Sequence, residues 1–376
     1  PGYGVSVQSP VTVSGRITGV DENIQVQVHQ PSSQSPLGSS CCQSAGGSYV
    51  PWSAAVSFAG ASDPVLTIAA ATGGHVVAVE RFAVTGVHAI PGTGSSAPPN
   101  GYPASFVGVR DNRIAVFASS DGQLQHYLTV PVAGGTASDP QLTDNAYWVY
   151  YIQSQGGCAT TLMKVAYTGG NPVTVAAPTA TAIIGFGTAR GEQRLAYIAQ
   201  ACGGAAQDLV AIDTTTGATN RILTPGAPPG FASDPTWAPD GQHLAVIVRT
   251  GTAQHLAVYD AFTAHTVGDE QAATPCGQES PGSQLSHPVF DTAGSLLVAI
   301  ASGGPGSVGS CAGGHLTTLF SLANAGAIAG LDATPDGSAI LVSAFPATGG
   351  TAQVSRWVAG ALSALPGASG SAWASW

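Results

Sequence analysis

The sequence predicts an all-β chain, in which a small antiparallel β-sandwich precedes a six-bladed β-propeller closed by the C-terminal strand. Three observations predict this fold class. Helix formers are scarce, and Lys164 is the only lysine among the 376 residues. The chain has 50 Gly and 26 Pro alongside many Val, Thr and Ser residues, which is typical of short strands joined by tight turns. One strand–turn–strand pattern also recurs at the spacing of a propeller blade.

The composition narrows the class of protein. Hydrophobic residues make up 44% of the chain and charged residues 8%, which supports a packed core and not a disordered segment. The formal charge of −10 argues against a nucleic-acid partner, because phosphate contacts need a basic face. No run reaches the roughly eighteen apolar residues of a transmembrane helix. We interpret the start at Pro1 as that of a secreted protein without its export signal, with a lipid anchor before Pro1 as an open alternative.

The cysteines predict an oxidising compartment. None of the six belongs to a CxxC pair or lies near histidines at zinc-finger spacing, so a structural zinc site is not predicted. Their even number in a Ser/Thr/Gly-rich chain favours disulfides and an extracytoplasmic location. Buried thiols in a cytosolic protein are the alternative. The six are Cys41, Cys42, Cys158, Cys202, Cys276 and Cys311.

The chain divides into two predicted domains. Residues 1–88 are predicted to form the sandwich, 89–104 a Pro/Gly/Ser-rich linker, and 105–376 the propeller. Short alternating runs without helical periodicity predict the strands of the sandwich. These runs are VTVSGRI, NIQVQVH, WSAAVSF, PVLTIAA and HVVAVERFAV.

The first 88 residues resemble a known family. The stretches SPVTVSGRITGVDENIQVQVH, PWSAAVSF and GGHVVAVERFAVTG are similar to the Gmad-type immunoglobulin-like domain of bacterial cell-envelope lipoproteins. The insertion SSQSPLGSSCCQSAGGSY departs from that pattern. The resemblance implies an extracytoplasmic accessory module without catalytic residues.

Five repeats after the linker predict the blades. Their spacing is about 40 to 53 residues, the size of one four-stranded blade. Residues 105–130 match strands two to four of a further blade, and the C-terminal GSAWASW matches a first strand. Joining these two pieces closes the ring and removes two exposed sheet edges. The repeats begin with SDPQLTDNAYWVYYIQ, IIGFGTARGEQRLAYIAQ, SDPTWAPDGQHLAVIV, SHPVFDTAGSLLVAIAS and LDATPDGSAILVSAF.

The repeat DPTWAPDGQHLAVIV resembles those of TolB-type (PD40 or WD40-like) six-bladed propellers. In that family Trp237 would wedge between neighbouring blades, and Asp240 and Gly241 would form the turn into the second strand. The resemblance implies protein binding or scaffolding. Related repeats also gate prolyl-oligopeptidase-type peptidases, but the chain contains no G-x-S-x-G nucleophile motif, so a peptidase is not predicted.

The aligned repeats bring three polar residues to one blade position. The alignment puts Asp139, Asp234 and His287 near the mouth of the central channel, and puts glycines (Gly185, Gly330 and Gly370) at the same position in the other three blades. The three polar residues can bind a cation such as calcium or a polar ligand. The alternative is that each aspartate caps a local turn. We assign no catalytic residue, metal ligand or cofactor.

Loop positions predict the disulfides. Cys158 and Cys202 lie in equivalent loops of consecutive blades, which favours a bond between them. Cys276 and Cys311 are predicted to bond on the same face, so that two disulfides fix one face of the propeller. Cys41 and its neighbour are predicted to bond each other or another chain.

These observations lead to a functional hypothesis with two alternatives. The hypothesis is a non-enzymatic, extracytoplasmic binding or scaffold protein of the bacterial cell envelope, which binds a protein or envelope component through the disulfide-tied face. One alternative is a propeller enzyme, a lyase or hydrolase, with its site at the channel mouth. The other is a self-assembling surface protein.

Overall fold

The computed structural model describes two separate units, one up to Pro103 and one from Ser105 onwards. Among the described residues, no helix has the length and apolar content needed to cross a membrane. Most of the predicted linker lies outside the described residues, so the limits of the two domains stay predictions. The described residues are 7, 9–17, 23–30, 33, 35–43, 50–61, 66–71, 103, 105–131, 134–143, 148–167, 169–189, 194–214, 216–223, 230–231, 234–238, 241–251, 253–262, 276, 284–291, 294–301, 305–312, 314–334 and 337–376.

Two antiparallel sheets surround one core in the first unit. Strand β1 pairs with β4, and β2 lies between β3 and β5. Alternation along β2 buries Ile24, Val26 and Val28, which pack with Val11 and Val56 of the other sheet. This is the arrangement of a sandwich. The strands are β1 (Val11–Ile17), β2 (Ile24–His29), β3 (Gly38–Gln43), β4 (Val50–Val56) and β5 (Thr67–Ala71).

One strand of this unit was not predicted. The segment that sequence reasoning treats as an insertion contains β3, which pairs with β2. Its Gly and Ser residues hide the strand pattern, because they carry none of the β-branched side chains typical of strands. The predicted run HVVAVERFAV lies outside the described residues. The immunoglobulin-like topology therefore stays a prediction.

The described residues of the second unit form six antiparallel sheets, which we label A to F in chain order. Sheet A contains β6 (Ser105–Arg110), β7 (Arg113–Ala118), β8 (Leu124–Tyr127) and β29 (Ala372–Ser375); sheet B contains β9 (Thr136–Leu142), β10 (Trp148–Ser154), β11 (Thr160–Ala166) and β12 (Val173–Ala176); sheet C contains β13 (Thr181–Thr188), β14 (Arg194–Ala201), β15 (Gln207–Asp213) and β16 (Thr219–Leu223). Sheet D contains β17 (Gly230–Phe231), β18 (Thr236–Trp237), β19 (His243–Thr250) and β20 (Ala253–Asp260); sheet E contains β21 (Gln284–Phe290), β22 (Leu296–Ala301), β23 (Ser307–Ala312) and β24 (His315–Ser321); sheet F contains β25 (Ala325–Ala333), β26 (Ala339–Pro346), β27 (Gln353–Val358) and β28 (Ala361–Ala364).

The first strands of neighbouring sheets contact one another in a closed cycle. Strand β29 contacts β9, β9 contacts β13, β13 contacts β18, β18 contacts β21, β21 contacts β25, and β25 returns to β29. The predicted closure is confirmed, because β29 pairs antiparallel with β6 in sheet A. Asp332 of sheet F fixes this junction by accepting hydrogen bonds from Ser375 Oγ and the Trp376 backbone N–H, both at 2.8 Å.

Trp237 packs between sheets C and D, as predicted. Its ring is buried and its indole N–H donates to the Gly187 carbonyl of sheet C at 3.1 Å. Gly241 closes the following turn with a φ of 66° and a hydrogen bond to the Ala238 carbonyl. Glycine adopts this left-handed conformation without steric cost. The repeat motif therefore serves to pack and turn the strands.

Candidate functional site

Bulges in the first strands of sheets A, B, C, E and F set the register of the candidate site. The strand pairing of β9, β21 and β29 shifts at Asp139, His287 and Trp373, and each of these residues has a φ near 50°. The corresponding shifts in β13 and β25 fall at Ile184 and Ala329. The bulges therefore place these residues, and not the three predicted glycines, level with Asp139 and His287. A bulge adds one residue to its strand. Counting residues from the repeat motif therefore assigns the wrong residue to this position.

Asp234 and His287 form the centre of the site. The imidazole Nδ1 and carboxylate Oδ2 lie 3.0 Å apart, and each side chain is 17% exposed. Asp139 and His287 lie in the middle of β9 and β21, and their place at the channel mouth stays a prediction. The hydrogen bond joins sheets D and E.

Gly185 allows Asp234 to lie against sheet C. A Cβ atom at this position would overlap Asp234 Oδ1, so any other residue would displace the carboxylate. Sequence reasoning missed this role because it treated the glycine as an empty position of the ring. The sequence did contain a signal for this role, because the repeat that carries Gly185 lies between the two repeats that carry Asp139 and Asp234.

Asp139 is electrostatically linked to Asp234. Burial raises the pKa of Asp139 well above its usual value, and the charge of Asp234 and a side-chain hydrogen bond with it raise the pKa further. A hydrogen bond from Gln141 acts in the opposite direction. Oδ2 of Asp139 is buried and has no assigned hydrogen-bond partner. The structure thus brings Asp139, Asp234 and His287 of three different sheets together.

The donor set of this cluster suits proton sharing. Within the described part of the chain, no three His, Cys, Asp or Glu side chains are arranged to hold one metal ion. Two coupled carboxyl groups can instead share a proton, since like charges at short range oppose the ionisation of both. An imidazole bonded to one of them can donate or accept a further proton.

Two predicted disulfides are present, but they lie in different places. Cys158 and Cys202 join the loops that lead into β11 and β15, with a Cα–Cα distance of 5.7 Å. We call this end of the ring the loop face, and its described segments include 155–159, 202–206 and 347–352. Cys41 is also disulfide-bonded, while the side chain of Cys42 lies outside the described residues. Two disulfides in one chain indicate an oxidising compartment.

The second disulfide does not lie on the face that was predicted for both bonds. Cys276 and Cys311 are bonded, but Cys311 lies near the end of β23, which points away from the loop face. Both residues belong to the apolar cluster between sheets D and E, where Cys276 is 1% exposed. The Gly/Ser-rich sequence around Cys311 predicts a loop, whereas the structure has a strand. A Cβ at Gly309 would meet the side-chain ends of Ile300 and Leu316 at about 3 Å, so another residue there requires these side chains to shift.

A cavity of about 410 Å³ lies beside the loop that carries Cys158. Its lining combines hydroxyl and amide groups with apolar side chains and contains no charge. Val130, which is 79% exposed, forms part of the rim. Sequence reasoning did not identify the cavity because two sheets form it together. The lining residues are Thr129, Val130, Pro131, Tyr151, Gln153, Gln155 and Pro172.

The architecture is similar to solved structures at low sequence identity. The structure of TolB from Acinetobacter baumannii matches with a TM-score of 0.51 and 12% identity over 72% of this chain and 65% of that chain. The second unit is a β-propeller. The propeller domain of the trilobed protease from Pyrococcus furiosus matches at a TM-score of 0.40 and 11% identity, covering 61% of this chain and 71% of that chain.

A nidogen/laminin complex also matches, with a TM-score of 0.47 and 8% identity over 68% of this chain and 89% of that chain. At such identities the likeness shows the fold alone. The TolB match spans just under two thirds of the TolB chain. No protein-family model and no curated protein matches this chain. The predicted all-β propeller fold is confirmed.

Proposed function

We propose that this chain is a non-enzymatic, extracytoplasmic binding or scaffold protein of the bacterial cell envelope. Its propeller would be a six-bladed ring of the TolB type, preceded by a Gmad-type immunoglobulin-like domain. The partner, a protein or another envelope component, would dock on the loop face. The observation that carries the proposal is the Cys158–Cys202 bond, which holds two loops of neighbouring sheets in one arrangement.

The bond lowers the entropic cost of binding. Segments 155–159 and 202–206 are rich in Gly and Ala, and such segments are mobile unless something restrains them. A disulfide across them fixes their backbones before the partner arrives. The ordering cost is then smaller at the moment of contact, which raises affinity without additional contacts.

The charge distribution indicates the kind of partner surface. Segments 155–159, 202–206 and 347–352 contain no charged residue, and the adjacent cavity is lined by neutral groups. Association through these groups depends little on salt, since screening acts on charges. We therefore expect a partner surface that is neutral, with hydrogen-bonding and small apolar groups.

Site-specific photo-crosslinking tests the proposal. Sheet C offers a matched pair of exposed alanines, Ala205 on the loop face and Ala218 at the opposite end. A photoreactive residue at position 205 should crosslink one envelope component in the native cell envelope, and the same residue at 218 should not. Removing the Cys158–Cys202 bond should lower the yield at 205. Equal yields from both positions would contradict a docking role for the loop face.

A further inference from the structure

The buried oxygen of Asp139 requires a physical explanation. An ionised carboxylate in a buried site needs donors on its oxygens, and an unpartnered oxygen there is strongly unfavourable. Oδ2 of Asp139 has no assigned partner, yet the Asp234 side chain forms a hydrogen bond with this carboxyl group. A bond between two carboxyl groups requires a proton on one of them. A protonated Asp139 satisfies the orphan oxygen, because its O–H then donates to Asp234.

The three side chains lie on different sheets, so a proton shared between them would link those sheets. Asp139 belongs to sheet B, Asp234 to sheet D and His287 to sheet E. Sheet C lies between the two aspartates, and its Gly185 leaves room for the Asp234 carboxylate. Asp234 accepts from His287 on one side and would accept from Asp139 on the other. The hydrogen-bond chain would therefore join side chains of sheets B, D and E.

We propose that Asp139 and Asp234 share one proton and act with His287 as a pH-sensitive latch across the inner ring of the propeller. With the proton present, the two carboxyl groups attract each other and hold the inner strands of sheets B and D together. When the proton leaves to solvent, two carboxylates face each other at short range and repel. The inner strands of these sheets then loosen. This latch is independent of docking on the loop face.

The surrounding charges leave Asp234 as the dominant partner of Asp139. Strand β13, packed on one side of β9, carries no charged residue, and neither does β29. Of the arginines on sheet A, Arg110 donates to the carbonyls of Gly367 and Ser369, and Arg113 pairs with Asp111. No Arg or Lys among the described residues forms an ion pair with Asp139. The hydrogen bond from Gln141 favours the ionised form of Asp139, whereas burial and the charge of Asp234 oppose it.

The sign of the pH effect follows from the direction of the shift. Folding raises the pKa of Asp139 above its unfolded value, so the folded state binds this proton more tightly than the unfolded state. The stabilising contribution is complete below the unfolded pKa. It is lost as the pH rises through the higher pKa of the folded state. The protein should therefore become less stable on the alkaline side.

Thermal unfolding across pH tests the latch with three variants of the full chain. In wild type, the melting temperature should fall by several degrees as the pH rises through the titration of the dyad. In Asp139→Asn the amide donates permanently to Asp234, so most of that fall should disappear. Asp234→Asn removes the repelling charge and should have the same effect, which covers the case that the first variant does not fold. Asp208→Asn, at an exposed ion pair with Arg221, is the control and should keep the wild-type profile.

Carbon-13 NMR of labelled aspartate carboxyls provides the direct readout. The signal of Asp139, assigned by its loss in Asp139→Asn, should remain that of a protonated acid at a pH above the usual range of aspartate ionisation. The latch is wrong if Asp139 is ionised there. It is equally wrong if Asp139→Asn and Asp234→Asn fold and show the same alkaline loss of stability as wild type.

Discussion

The two propeller disulfides join neighbouring sheets in opposite surroundings. Cys158–Cys202 links exposed loops of sheets B and C, whereas Cys276–Cys311 lies in the apolar interface between sheets D and E. The bonded cysteines are 44 and 35 residues apart, so loop-closure entropy predicts about 4 kcal/mol for each bond. The two bonds should thus restrict the unfolded chain almost equally. Any difference between them must come from the folded state.

This comparison separates two tasks that a disulfide can perform. The bond in the loops can position flexible segments without contributing to a core. The buried bond fills space between two sheets, and Leu256 and Leu316 pack around it. The junction between sheets F and A provides a third case, since β29 and Asp332 hold it without a covalent bond.

Removal of the non-covalent junction should have the largest effect. Deletion of residues 370–376 removes β29, exposes the edge of β6 and leaves the carboxylate of Asp332 without Ser375 and Trp376. We expect an aggregating or poorly expressed protein, since an open edge invites pairing with other chains. Soluble yield and the cooperativity of thermal unfolding measure the result. A soluble, cooperatively unfolding truncation would show that the ring does not depend on closure.

Loss of the buried disulfide should have the next largest effect. The double variant Cys276→Ala/Cys311→Ala should lose about 4 kcal/mol of unfolding free energy from the loop term. The double serine variant should lose more, because the hydroxyl at position 276, where the cysteine is 1% exposed, would be buried without a partner at a cost of about 1–3 kcal/mol. Denaturant unfolding of both variants checks the difference. Equal stability of the alanine and serine variants would mean that the site is accessible to water.

Loss of the exposed disulfide should have the smallest effect on the folded state. The double variants Cys158→Ala/Cys202→Ala and Cys158→Ser/Cys202→Ser should agree within about 0.5 kcal/mol, because exposed hydroxyl groups remain solvated. Hydrogen exchange should increase in segments 155–159 and 202–206 and remain unchanged in the sheet interiors. If the serine variant were clearly less stable than the alanine variant, the surroundings of the two bonds would not differ in their access to water.

The sequence was sufficient for features that depend on pairing between repeats. The GSAWASW segment lacks a blade of its own, and residues 105–130 lack a first strand, so their union could be predicted. The Cys158–Cys202 bond followed from equivalent loops in adjacent repeats. The buried Trp237 followed from its repeat motif. In each case the periodicity of the chain determines the neighbours.

Features that depend on one-residue shifts or on close packing could not be predicted. The bulges place Ile184 and Ala329 at the positions that were assigned to glycines. A single inserted residue cannot be recognised from the spacing of the repeats. The strand that carries Cys311 contains Gly309, packed beside Ile300 and Leu316, and its Gly/Ser-rich composition predicted a loop. The proximity of Asp139 to Asp234 depends on the missing side chain of Gly185. Such contacts follow from three-dimensional packing and not from any pattern in the sequence.

The pairing of β29 with β6 also determines when the ring can form. Arg110, at the end of β6, donates to the Gly367 carbonyl 257 residues further along the chain. At synthesis rates of about 5–20 residues per second, β6 waits on the order of tens of seconds for its partner strand. During that time sheet A has an unpaired edge, while sheets B to F can already assemble. Export or chaperone binding within this interval would keep the nascent chain from pairing with a second copy.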